Sequence, residues 1–122
     1  MALREVADVP SPKILEIRSG LGGLSRKLLE CHPAVHVTVT DIDPEFVTAV
    51  AASDLGSDPR ATVRVMDAIA IDSPDGYYDL AVFAWSLHHL APNRAVQVVA
   101  EGTRAAKKLL IIDLRRCLRR SN

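Results

Sequence analysis

The amino-acid sequence predicts an α/β fold, a doubly wound sheet of five parallel strands with helices on both faces. Three observations carry this. Five short apolar runs rich in branched residues recur along the 122 residues. Helix-like segments lie between most of them. The segments joining successive runs are too long for hairpins, so the runs pair in parallel through right-handed crossovers.

The elements follow in chain order. Residues 14–17 read as the first strand, and 24–31 as a helix closed by His32 and Pro33. The second strand is expected at 35–39. Asp43, Pro44 and Glu45 make a helix start, with an aspartate at the N-cap and proline in the first turn, leading into a helix over 46–52. The third and fourth strands are expected at 63–66 and 80–84. Between them, 68–78 carries Pro74, Asp75 and Gly76 and reads as a loop. A last helix runs over 92–106, with Val96, Val99 and Thr103 on one face and Gly102 weakening it slightly. The fifth strand is expected at 109–114. Most of these strands are apolar enough to be covered on both faces.

Composition bounds the function. A chain of this length, 48% hydrophobic, forms one domain over 1–122, with a lead-in at 1–12. Fifteen basic and 15 acidic residues leave a net charge of zero, so no global charge steers the protein to nucleic acid or to an anionic membrane. The exception is a basic tail at 115–122 with Arg115, Arg116, Arg119 and Arg120, read as a solvated end. Cys31 and Cys117 have no metal-ligand spacing and suggest no disulfide framework, which fits a reducing cytoplasm. No apolar run reaches the roughly 18 residues of a spanning helix, and the N-terminus lacks the apolar core of a signal peptide. The expectation is a soluble protein.

In doubly wound sheets ligands bind beyond the carboxyl ends of the strands, where the strand order reverses. The residues at those ends are Glu16 to Gly23, then Asp41 to Asp43, then Asp67 and Ala68, and then a segment holding Trp85, His88 and His89. Gly20, Gly22 and Gly23 allow a tight turn and close approach of the backbone to a ligand at a helix N-terminus. Asp41 lies 21 residues past Gly20, the distance at which an acid ending the second strand accepts hydrogen bonds from ribose hydroxyls. Each feature also has a plain structural reading. Tight turns need glycine anyway, Asp43 caps a helix, and Asp67 caps or turns a loop. Their conjunction at one sheet edge points to a nucleoside ligand.

With these residues in place the chain resembles the class I S-adenosylmethionine-dependent methyltransferases, particularly the small-molecule branch that includes quinone-biosynthesis enzymes, over 13–116. Glu16, Gly20 and Gly22 match the family's acid-and-glycine motif, with Arg18 where its first glycine stands. Asp41 matches the acid that holds the ribose, Ile42 would lie against adenine, and Asp67 with Ala68 matches the acid near the adenine amino group. Residues 74–82 resemble the family's loop and fourth strand, and 86–90 resemble the segment facing the transferred methyl. Trp85 joins the donor-binding set. A nicotinamide dehydrogenase fits less well. Ser25 stands where a G-x-G-x-x-G pattern needs its third glycine, and Glu16 suits a ligand with a positive amino group, not a pyrophosphate.

The resemblance implies a Rossmann-like sheet of strand order 3-2-1-4-5. It implies S-adenosylmethionine as cofactor, with S-adenosylhomocysteine as product, and a small-molecule methyl acceptor. His88 or His89 is a candidate base, at most one of them facing the site. Two departures accompany the match. Arg18 could bind the donor's carboxylate bidentately, pair with Glu16, or fill the pocket. The family's usual last two strands are missing, which leaves the fifth strand as an apolar edge suited to pairing in a homodimer. The alternative is a noncatalytic binding or assembly module whose donor pocket Arg18 has altered.

Overall fold

The computed structural model describes residues 2–84 and 91–112. A 3-10 turn at Ala2–Val6 leads to β1 (Lys13–Ile17), α1 (Gly23–Cys31), β2 (His36–Asp41), α2 (Pro44–Ala51), the short α3 (Asp54–Ser57), β3 (Ala61–Val65), β4 (Leu80–Ala84), α4 (Pro92–Ala105) and β5 (Leu109–Ile112). The strands form one parallel sheet in the order β3-β2-β1-β4-β5. The order reverses between β1 and β4, which places the switch point at the loop after β1.

Side-chain alternation divides the core into two layers. On one face Ile14, Val37, Val39, Leu80 and Val82 pack against Leu28 and Leu29 of α1, Val50 of α2 and Leu55 of α3. On the other, Leu15, Ile17, Ala81 and Phe83 pack against Val98 and Ala105 of α4. The helix start at Asp43 forms as expected: its carboxylate accepts from the Glu45 N–H at 2.9 Å, with Pro44 in the first turn. Residues 68–78 form a loop held by a clamp on α4. The Arg104 guanidinium donates to Ser73 O and Ile71 O, at 2.9 and 2.8 Å, and Glu101 Oε2 accepts from the Ile71 N–H at 2.7 Å.

The structure differs from the sequence reading in several features, among them the unexpected α3 and a β3 that runs from Ala61 to Val65 instead of over 63–66. β2 continues to Asp41, because its ladder with β3 extends to the pair Asp41–Val65. β3 is half-exposed, since it is the outermost strand, and α4 packs chiefly over β4 and β5 at the other side of the sheet. α4 buries Val98, Gly102 and Ala105, while Val96 and Val99 face solvent. Small residues decide this. A β-carbon at Gly102 would stand 3.0 Å from Leu109 Cδ1, so glycine here sets the spacing between α4 and β5. No described helix is long and apolar enough to cross a membrane.

Candidate functional site

Beyond Ile17 the chain leaves the sheet through three residues with positive φ: Arg18 at 57°, Gly20 at 59° and Gly22 at 79°. The two glycines serve different ends. A β-carbon on Gly20 would meet nothing within 4 Å, so this backbone borders open space. One on Gly22 would stand 2.5 Å from Leu55 Cδ1, so Gly22 lets α1 begin against α3. Arg18 is the one residue other than glycine with positive φ among the described residues, a conformation costing about 1 kcal/mol or more for an L side chain.

The loop is tied to the end of β2. The Ser19 N–H donates to Thr40 O at 2.9 Å, and the Gly20 N–H to Asp41 Oδ2 at 3.0 Å. Asp41 Oδ1 accepts from the Asp43 N–H at 3.0 Å. A carboxylate offers about four acceptor positions, so these two bonds leave room for two hydroxyl donors at a carboxylate already fixed in place.

Glu16 lies deeper, 2% exposed, at the N-terminus of α1. The Ser25 hydroxyl donates to its carboxylate, and its own carbonyl accepts from Thr40 Oγ1 at 2.7 Å. Burial pushes the Glu16 carboxyl up to about 7; the hydrogen bonds from Ser25 oppose this, and the nearby Asp41 charge adds to it. The negative group at the start of this helix is therefore supplied by the chain itself. A pyrophosphate, which needs that helix end bare, is poorly served.

Arg18, Ile42, Asp67 and Ala68 meet around one cavity of about 50 Å³, together with Met66, Ile69, Arg94 and Val98. Asp67 also turns its own loop, its Oδ1 accepting from the Ile69 N–H at 3.1 Å. Asp67 thus turns its loop and lines the cavity at once. Sequence reasoning missed Arg94 and Val98. They stand four apart on α4, so they share a helix face, a spacing that was legible once the buried face was known. It also missed the Arg104–Glu101 clamp, which fixes the loop carrying Asp67 and Ala68. Trp85, His88 and His89 lie outside the described residues.

The switch-point loop of an acid and glycines, with a second acid on the neighbouring strand, stands at the carboxyl edge of a doubly wound α/β domain, where such folds bind ligands. Comparison with known proteins narrows the class. The family model described as a methyltransferase domain matches residues 14–108, and the chain belongs to that family. It is 28% identical over 108 residues to the ubiquinone/menaquinone biosynthesis C-methyltransferase UbiE of Cupriavidus taiwanensis, covering 85% of this chain and 44% of the relative. The fold is shared with the PH0226 protein of Pyrococcus horikoshii (TM-score 0.73, 24% identity, 98% of this chain and 59% of that one). It is also shared with a SAM-dependent methyltransferase of Methanosarcina mazei (TM-score 0.69, 23% identity, 80% and 48%). The chain spans about half the length of these proteins. Membership implies S-adenosylmethionine as the cofactor.

Proposed function

We propose that this domain binds S-adenosylmethionine at the rim between β1, β2 and α4 and serves methyl transfer to a small-molecule acceptor. The observation that carries the reading is Asp41. Its buried carboxylate is oriented by two backbone N–H groups beside the open backbone of Gly20, and it keeps acceptor capacity for a ribose diol. Glu16 suits the donor's ammonium, and Ile42, Asp67 and Ala68 suit its adenine. Bound S-adenosylmethionine supplies a methyl group activated by a sulfonium, so the protein needs no nucleophile of its own. The chain's task is alignment and exclusion of water. Arg18, on the cavity wall, reaches the donor's carboxylate, and His88 or His89 takes a proton from the acceptor where the acceptor must lose one.

The acceptor is a small molecule in this reading, by analogy with the quinone-biosynthesis relative. A cytoplasmic location and pairing of two copies through the β5 edge belong to the same reading, and sedimentation of the purified chain tests the latter. Isothermal titration tests the whole. S-adenosylmethionine and S-adenosylhomocysteine should bind saturably, Asp41→Ala should abolish both, and NAD should give no heat. A folded chain silent to all three ligands refutes the donor site.

A further inference from the structure

A larger cavity, about 380 Å³, opens at the other end of the sheet from the glycine loop. That is within the range of small-molecule sites, which begins at about 300 Å³. It spans the first residues of β1 and β2, Lys13 and His36, and is lined also by Thr38, Thr62, Arg60 and Tyr77. The length of β1, roughly 13 Å at about 3.3 Å per step, separates it from the donor rim.

Its charge is one-sided. None of its lining residues carries a carboxylate. Arg60 is held rigidly, donating from Nη1 to His32 O and Pro33 O at 3.0 and 3.1 Å and pairing with Asp58 at 3.3 Å. The Lys13 ammonium sits 4.6 Å from the centroid of the Tyr77 ring, and among the described residues no carboxylate forms a salt bridge with it. The Asp79 carboxylate accepts from the Lys13 backbone N–H at 2.8 Å and from Lys107 Nζ at 3.2 Å, and the Lys13 charge helps hold it ionised. With Asp58 paired to Arg60 and Asp79 to Lys107, the cation left facing the cavity is that of Lys13, with the His36 imidazole beside it. Two threonines and an aromatic ring that is 47% exposed complete the wall.

We infer that this cleft is a second binding site, for a small molecule bearing an oxyanion, a phosphate or a carboxylate, held by Lys13 and His36 with the Thr38 and Thr62 hydroxyls. The loop after β3 touches both ends of the domain: Asp67 and Ala68 line the donor cavity, and Tyr77 and Tyr78 line this cleft.

The test is a nitrogen-15 amide titration of the full chain with inorganic phosphate and, separately, with acetate, each against potassium chloride at matched ionic strength. The amides of Lys13, His36, Thr38 and Thr62 should shift saturably while those of Gly20 and Asp41 stay in place. Lys13→Gln combined with His36→Gln should weaken binding tenfold or more; both side chains are exposed, and the same spectra report whether the fold survives. Saturation by phosphate alone assigns a phosphorylated ligand, and saturation by acetate alone a carboxylate. Shifts that never saturate, that chloride reproduces, that centre on the glycine loop, or that persist in the double variant overturn the inference.

Discussion

Glu16→Gln should change how the stability of this domain depends on pH. In the folded chain the carboxyl is buried and titrates at about 7, against an ordinary value of 4.5. Its folded pKa is raised, so between these values the native state holds a proton that the unfolded chain has released, and stability falls as pH rises. At about 1.4 kcal/mol per pH unit, the wild type loses about 3 kcal/mol from this group between pH 4.5 and 7. Below 4.5 both states are protonated and the loss is absent. Glutamine keeps a carbonyl to accept from the Ser25 hydroxyl and has no charge to desolvate. The variant should match the wild type near pH 4.5 and exceed it by about 3 kcal/mol above pH 7, less whatever the unpartnered amide N–H costs. Urea unfolding of both proteins across that window checks this, because the difference between them cancels the titration of other groups. Parallel stability curves would refute the burial argument.

Arg18→Gly should alter stability by under about 1 kcal/mol, since relief of the positive φ is offset by the greater freedom of glycine in the unfolded chain. Titration should find donor affinity about tenfold weaker, as expected for the loss of one charge-assisted hydrogen bond; a sharp gain would show instead that Arg18 blocks the pocket. Gly22→Ala should destabilise by about 1–3 kcal/mol in denaturant melts, because a β-carbon 2.5 Å from Leu55 Cδ1 comes on top of a φ of 79°. Arg104→Gln should speed hydrogen exchange at Ile71 and its neighbours while leaving the β1 amides protected, because the guanidinium holds Ser73 O, Ile71 O and Glu101 together; unchanged exchange at Ile71 would show the loop is held by other contacts.

Much of the candidate site's local geometry was legible because it depends on local rules. Glycine at positive φ, an aspartate capping a proline-led helix, and acids at the carboxyl ends of branched apolar runs are all statements about a few neighbouring residues. The face of α4 was not legible. Two stripes compete on that helix, and the one with larger side chains, Val96 and Val99, is the exposed one, because α4 comes close to Leu109 of β5 at Gly102. The exposure of β3 was likewise hidden, since an apolar run does not reveal that its strand is outermost.

By itself, then, the sequence determined the parallel doubly wound architecture, the glycine loop after β1 and the acid ending β2, since period, turn chemistry and chain order suffice for these. Tertiary structure alone decided that Glu16 is sealed against α1 with a raised pKa, that Arg18 and Arg94 share a cavity, and that Arg104 pins the loop bearing Asp67. Burial and charge proximity depend on residues far apart in the chain, and only packing brings those together.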